Sequence, residues 1–509
     1  MNDMENKRLQ MQEQLDAQKT QKERNKMGQF STPYPLALEI MHYMRQLIAT
    51  DNVSFIEPAI GTGVFYSAFR QAFPNDDQRV LGFEIDPMYF NPTKDFWRGT
   101  PLELRCRDFL SEKPDEVFDM LVANPPYVRH HHIDSGTKSR LQNNVFKQTG
   151  IKISGLAGLY CHFMLLSNVW LKEGGLSCWL VPSEFMDVNY GESVKRYLTH
   201  NVELLHIHRF NADDLQFADA LVSSCIVVFR NTKPSESNQV KFTIGGSINS
   251  PETVKHIPVS QLDTKIKWTS LFEDDAVSVQ ESVSTLGDFF MVKRGIATGD
   301  NDFFILDKKT IDRYEIPQKF LRPILPGPRY IKEDKINNEN GLPALDRQLF
   351  LFSCKVPENI LKEQYPKVWE YIKEGYERGV SKGYICSHRS PWYSCEDREP
   401  ASIIVPYMGR DASNRMFRFI LNTSQAITTN VYLSLYPKPQ YAHCMKDESV
   451  VTEVWHKLNT IPSVLLSRNG RFYGGGLRKM EPKELMNTPV SEIGKVLTVK
   501  NKNRQLELF

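Results

Sequence analysis

The sequence predicts an α/β protein: a doubly wound, mostly parallel sheet with an antiparallel edge strand, followed by a separate α+β domain. Three observations carry this expectation. Short apolar runs alternate with helical patterns from about Gly28 to Phe229. One of those runs, Asp119-Met120-Leu121-Val122-Ala123, stops at Asn124-Pro125-Pro126-Tyr127. After Leu286 the alternation is gone, and aromatics, arginines, prolines and glycines mix irregularly to Phe509. Strands that alternate with helices argue for parallel pairing, because a parallel partner needs a crossover connection.

At 509 residues the chain is long enough for two or three domains with proper cores. Residues 1–27 are rich in Gln, Lys and Glu with few large apolar side chains, and read as an exposed helix or a partly disordered arm. Residues 28–280 form the α/β domain. Its candidate strands are Val53–Ile56, Val80–Ile85, Leu102–Cys106, Met120–Ala123, Leu176–Val181, Val202–His206 and Leu221–Phe229. Helical patterns fit Val64–Phe73, Gly158–Leu171 and Glu192–His200. The last strand follows its predecessor without a helix, which predicts an antiparallel edge. Within this domain, the stretch from about Thr232 to Glu281 is polar, contains Pro234, Pro251 and Pro258, and reads as a connector with small strands. Residues 281–509 form the second domain.

Composition excludes several classes. No apolar run is long enough to span a membrane, and Met1 to Lys26 lacks the apolar core of a signal peptide. Eight cysteines occur without a Cys-x-x-Cys pair, which speaks against a zinc ribbon or a disulfide scaffold and for reduced thiols in a cytoplasm. The net charge is +2, yet it is unevenly spread: from Glu281 onward 34 Lys and Arg face 27 Asp and Glu, whereas the preceding part carries a net −5. A basic second half suggests that it meets a polyanion.

Four motifs carry chemistry. A strand that stops at two prolines must leave its ladder, because neither offers an N–H. Asn124–Tyr127 therefore form a stiff platform at a strand's carboxyl end, with an amide, free carbonyls and an aromatic face suited to a planar amine. Taken alone, the tetrapeptide could equally be a strand-ending turn. Phe55-Ile56-Glu57-Pro58-Ala59-Ile60-Gly61-Thr62-Gly63 follows a strand and opens a helix, so its glycines let backbone approach a bound cofactor. Tyr66 stands where a dinucleotide fingerprint needs its third glycine, which disfavours a dehydrogenase. Glu84 ends the next strand, placed to accept from both ribose hydroxyls. Asp108 ends the third, where it can accept from an adenine amino group with Phe109 against the ring, or cap a turn.

Together these residues resemble the S-adenosylmethionine-dependent methyltransferases, with their Rossmann-like sheet, and with Asn-Pro-Pro-Tyr the gamma-type N6-adenine DNA methyltransferases of type II restriction-modification systems. Gly28-Gln29-Phe30-Ser31-Thr32-Pro33 matches that family's Gly-Gln-Phe-x-Thr-Pro motif and precedes the glycine loop, as the gamma order requires. Val292–Asn301, His388–Tyr393 and Gly470–Pro482 resemble landmarks of its target-recognition domain.

The resemblance implies S-adenosylmethionine held by Thr32, Glu57, Ala59, Gly61, Glu84, Ile85, Asp108 and Phe109. It implies that Asn124 and the carbonyl of Pro125 accept the adenine amino hydrogens while Tyr127 stacks on the flipped base. A second aromatic, Phe217 or alternatively Phe210, would close the other face. Arg129, Arg468, Arg471 and Arg478 are the candidate contacts to double-stranded DNA. A cognate restriction endonuclease acting on the same site is an implied partner, and a DNA-associated location in a bacterial or archaeal cytoplasm is expected.

Cytosine ring methylation is disfavoured because no Pro-Cys dipeptide occurs. His130-His131-His132 lacks paired ligand spacing and reads as a DNA-contacting loop rather than a metal site. Enzymes that methylate a protein glutamine or ribosomal RNA are the rival reading, and a catalytically inactive DNA-binding subunit is a third. The long second half and the Gly28–Pro33 segment favour DNA.

Overall fold

A computed structural model describes residues 3–75, 78–211, 216, 223–272, 284–410, 417–462, 466, 471–473, 477–490 and 492–497. The chain divides into two compact units, Met1–Ala276 with Phe472–Gly475, and Val277–Arg471 with Gly476–Phe509.

The first unit is built on a nine-stranded sheet. In chain order its elements are α1 (Asp3–Asp16), α2 (Gln21–Met27), α3 (Tyr34–Leu47), β1 (Phe55–Glu57), α4 (Val64–Ala72), β2 (Val80–Phe83), α5 (Pro87–Phe96), β3 (Leu102–Arg105), β4 (Phe118–Ala123), α6 (Ser135–Thr149), α7 (Leu159–Leu166), β5 (Leu171–Pro182), α8 (Gly191–His200), β6 (Glu203–Arg209), β7 (Ser224–Arg230), β8 (Gln239–Gly246) and β9 (Pro251–Pro258). The strand order is β3-β2-β1-β4-β5-β7-β6-β8-β9. From β3 to β5 all pairings are parallel. Phe55, Leu81, Leu121, Val122 and Trp179 are each fully buried, as strands covered by helices on both faces require. The chain runs outward from β1 to β3 and then returns to the other side of β1 with β4. That reversal leaves a crevice at the carboxyl ends of β1 and β4, where open α/β sheets bind ligands.

Helix boundaries follow local chemistry. Asp86 caps α5 by accepting from the Met88 N–H, with Pro87 in the first turn. Asp134 caps α6 through the Thr137 N–H, and Gly150 ends it at φ 73°.

Four expectations are corrected. Residues 1–27 supply the helices α1 and α2, as one of the two expectations had it, but are not wholly exposed: α1 buries Glu5, Arg8 and Leu15. The helix expected to reach Leu171 ends at Leu166, followed by a 3₁₀ turn over Ser167–Trp170, and Leu171 already opens β5. The antiparallel strand expected at the edge is β7, which lies inside the sheet between β5 and β6. The edge beyond β8 belongs instead to β9, antiparallel to β8. The stretch read as a connector with small strands does supply strands, β8 and β9, but they are eight residues each and extend the main sheet, with β8 parallel to β6.

The second unit mixes small sheets with helices. Its five-stranded sheet runs Phe290–Arg294, Tyr432–Pro437, Ile403–Pro406, Ile420–Asn422 and Lys335–Ile336 in spatial order. The helix Glu448–Asn459 contributes Val450, Val454 and Leu458 to a core with Leu286, Val405 and Leu433. A separate core gathers around Phe303, whose ring stacks on Tyr371 of the helix Pro366–Glu377 with centroids 4.7 Å apart.

Candidate active site

The carboxyl ends of β1, β2 and β4 open into one cavity of about 740 Å³. Thr32, Glu57, Ala59, Gly61, Glu84, Ile85, Asp108, Phe109 and Asn124 all line it. Thr32 and Asn124, 92 positions apart in the chain, share one wall because the segment before α3 is hydrogen-bonded to the end of β4.

Asn124 leaves β4 where Pro125 and Pro126 prevent the ladder from continuing. Its Nδ2 donates to the Phe30 carbonyl at 2.9 Å and to Thr32 Oγ1 at 3.0 Å. Both amide hydrogens are used, which fixes the side chain's orientation. Its Oδ1 is buried and has no hydrogen-bond partner among the described residues. The segment that orients it is pinned in turn. The Tyr127 N–H donates to the Gly28 carbonyl at 3.0 Å, and a Cβ on Gly28 would lie 2.4 Å from that same nitrogen. With φ at 65° as well, this position demands glycine.

Pro126 faces the cavity, whereas Pro125 and Tyr127 are buried. The Tyr127 hydroxyl donates to the Leu180 carbonyl at 3.0 Å, and its ring neighbours Phe30, tilted with centroids 5.6 Å apart, and Tyr160, edge-on at 6.3 Å. Phe210 is 5% exposed and meets His208 edge-on. Phe217 lies outside the described residues.

The other end of the cavity is acidic. Glu57 is 1% exposed, burial pushes its carboxyl well above the ordinary carboxylate range, and its Oε2 has no partner among the described residues. Glu84 accepts from the Gly61 N–H at 3.0 Å and the Asp86 N–H at 2.8 Å, and burial raises its pKa too. Ile85 is 63% exposed, an apolar side chain presented to the cavity. Asp108 caps the turn that follows it through the Leu110 N–H, and also accepts from Ser111 and, at 3.4 Å, from Arg140. It is therefore a turn cap as well as a cavity residue. Phe109 is buried with its ring stacked on Phe163.

The glycine loop has tethers that sequence reasoning missed. Trp97 Nε1 donates to the Thr62 carbonyl and Thr93 Oγ1 to that of Gly61. Gln12, Asp16 and Tyr89 also line the cavity. Their chain positions carry no motif, and only the helical spacing of Glu5, Arg8, Gln12 and Asp16 could have pointed to them.

The basic candidates are scattered. Arg129 is exposed on the turn before His130–His132. Arg478 is half-buried on the short strand Leu477–Lys479, and Arg471 lies on the strand Arg471–Tyr473. Arg468 lies outside the described residues. Among the described residues, no helix is long and apolar enough to cross a membrane, and no group of three or more His, Cys, Asp or Glu could hold a metal ion.

Two family models match. The Eco57I restriction-modification methylase model covers residues 68–216, and the C-terminal domain of the type II methyltransferase M.Eco57I covers residues 267–507. The type II methyltransferase M.AccI of Acinetobacter calcoaceticus is 25% identical over 493 residues, spanning 92% of this chain and 86% of that protein. M.XamI of Xanthomonas campestris pv. amaranthicola is 28% identical over 467 residues, 90% of this chain and 84% of that protein. The solved structure of the type IIL restriction-modification enzyme MmeI shares the fold, with a TM-score of 0.62 at 13% identity over 94% of this chain and 70% of that one. With an Asn-Pro-Pro-Tyr platform beside a glycine-loop cavity in its first unit, the chain matches the Eco57I restriction-modification methylase and the M.Eco57I C-terminal domain in its two halves, and it is similar to type II methyltransferases over most of its length.

Proposed function

We propose that this protein methylates DNA at defined sites, moving a methyl group from S-adenosylmethionine to the N6 amino group of an adenine flipped out of the duplex. The observation that carries this reading is the Asn124 amide. Its N–H groups are spent on Phe30 and Thr32, so its carbonyl oxygen is a fixed, buried acceptor in a cavity lined by acidic strand ends.

The residues fit a cationic nucleoside cofactor. Glu57 offers a buried oxygen with no partner among the described residues, a natural acceptor for an ammonium group. Glu84 stands at the end of β2 for ribose hydroxyls, and Ile85, Asp108 and Phe109 suit an adenine. When bound, S-adenosylmethionine supplies an electrophilic methyl group on a sulfonium.

The chain's own task is to make a poor nucleophile competent. The adenine amino lone pair is delocalised into the ring. Acceptors at Asn124 Oδ1 and the Pro125 carbonyl hold its two hydrogens, favour a pyramidal nitrogen, and stabilise the positive charge that grows there. A neutral amide is too weak a base to keep a proton, so the surplus proton leaves to water after transfer. Tyr127 holds the extruded ring, offsetting part of the unstacking cost of a few kcal/mol. Positioning supplies much of the remaining rate.

DNA as substrate is supported by the type II methyltransferase relatives and by MmeI, whose structure was solved in complex with DNA. The second unit, with its basic balance, would read the sequence, and a cognate endonuclease would cut the same site when unmethylated. Sequencing the DNA of a host that expresses this chain, with modified-base detection, tests the reading: N6-methyladenine should appear at one defined motif. Unmodified host DNA together with methylated release-factor glutamine would overturn it.

A further inference from the structure

Helix α1 carries a buried polar network into the wall of the cavity. Arg8 is 2% exposed and Glu5 fully buried, and the Arg8 guanidinium grips both Glu5 oxygens at 2.7 to 3.0 Å. Arg8 also donates to Thr62 Oγ1 at 2.5 Å, while that hydroxyl donates to Gln12 Oε1. Both partners of the Thr62 hydroxyl thus come from α1. Glu5 additionally accepts from Ser67, in the first turn of α4, just beyond the loop. Farther along α1, Gln12 donates to Asp16, and Asp16 accepts from the Tyr89 hydroxyl at 2.7 Å. Gln12, Asp16 and Tyr89 face the cavity.

The loop being held needs holding. Gly61 and Gly63 flank Thr62 with φ of 55° and 84°, and glycines in such a conformation have much freedom to lose. The amides and carbonyls of this loop are what a cofactor must approach. We propose that Arg8 and Gln12 are positioning residues for the methyl donor, which clamp the Thr62 hydroxyl and so keep the glycine loop in its binding shape. The inference rests on the proposed use of this cavity for S-adenosylmethionine.

The geometry favours this role over mere docking of a helix. A surface helix can be attached by apolar contacts, and α1 buries Leu15 for that. Burying an ion pair is a costly way to attach anything unless its fixed direction is used. Here the guanidinium points at the loop, and its charge also acts on Glu57, opposing the rise that burial imposes on that carboxyl.

The test is calorimetric titration of S-adenosylmethionine into the full chain, paired with steady-state methylation of DNA. Gln12→Ala removes one Thr62 contact and the donor to Asp16 Oδ1, which still accepts from the Tyr89 hydroxyl. It should weaken donor affinity about two- to tenfold, the scale of one lost hydrogen bond, and raise the donor KM alike. Its donor KM should change more than its kcat, and it should remain folded, with a melting midpoint lowered only modestly by the two hydrogen bonds lost. The paired variant Glu5→Gln with Arg8→Gln should weaken binding further. It should also move the acid limb of donor affinity to higher pH, because Glu57 loses its cation, and an attachment role alone would not do that. Should the paired variant fail to fold, Gln12→Ala decides. Undiminished donor affinity in folded Gln12→Ala, or a fall in kcat with the donor KM unchanged, would overturn the proposal. Wild type that binds no donor would instead overturn the reading beneath it.

Discussion

At the Asn124 end of the cavity the side chain proposed to act on the substrate has both amide hydrogens engaged, while at the Glu57 end a buried carboxyl has no partner among the described residues for one of its oxygens. The first arrangement is complete within the chain itself. Phe30, Thr32 and the backbone contact between Gly28 and Tyr127 hold Asn124 in the free chain. The second arrangement costs the fold something, since burial opposes ionisation of both Glu57 and Glu84. The difference teaches where each kind of energy is needed. A group that acts in the transition state must be oriented beforehand, whereas a group that captures a cation can leave its compensation to the ligand.

Breaking the first end should have the largest effect. Asn124→Ala removes the oriented acceptor while leaving the acidic end intact. Turnover should fall on the order of a hundredfold or more, by analogy with loss of one oxyanion-hole donor. Donor affinity, measured by calorimetry, should hold. Normal turnover in this variant would refute the role given to the amide.

Breaking the second end should do the opposite to binding and stability. Glu57→Gln ought to weaken donor binding by about 1–3 kcal/mol, the scale of a buried group left unpaired, and yet stabilise the free protein at neutral pH. The ordinary value of this carboxyl is 4.5 and burial raises it in the folded state. Between those two values the folded chain keeps a proton that the unfolded chain has released. Folding stability therefore declines as pH rises through that window, and Glu57→Gln should abolish the decline. Thermal melts from pH 4.5 upward would reveal it; identical profiles for variant and wild type would count against the assignment. Glu84→Ala should weaken donor binding on a similar scale. Asp108→Ala is less clean, because the same carboxylate caps a turn and pairs with Arg140.

The sheet from β1 to β5 was legible because parallel strands buried on both faces leave continuous apolar runs, such as Met120–Ala123. The cavity was legible for the same reason: strand ends mark where reactive groups must emerge, and Glu57, Glu84, Asp108 and Asn124 all stand there. What escaped sequence reasoning shares a different physics. Glu5 and Arg8 look like solvated charges, and they are buried because each satisfies the other. β8 and β9 read as a connector with small strands because β9 has no fully buried side chain and β8 is exposed at both ends, which leaves a polar composition. That β7 inserts between β5 and β6 depends on pairing between distant segments, and its own apolar run says only that it is a strand. Phe210, weighed as a partner for the flipped base, packs against His208 inside the sheet's core.

Tyr127 offers the finest test of how completely the platform end is organised, with the smallest expected effect. Its ring is the proposed holder of the flipped adenine, and its hydroxyl is tied to the Leu180 carbonyl. Tyr127→Ala should weaken capture of the base by about 1–3 kcal/mol, the scale of base–aromatic stacking. Tyr127→Phe keeps the ring and loses only the tie, which costs roughly 0.5–1.5 kcal/mol of folding stability. If Phe30 and Tyr160 suffice to hold the ring, base capture in Tyr127→Phe should match wild type. A DNA duplex with 2-aminopurine at the target position reports capture as fluorescence on extrusion. Wild-type signal in Tyr127→Phe with a weakened signal in Tyr127→Ala would assign the effect to the ring. Equal loss in both would move it to the hydroxyl, and equal retention in both would remove Tyr127 from base capture altogether.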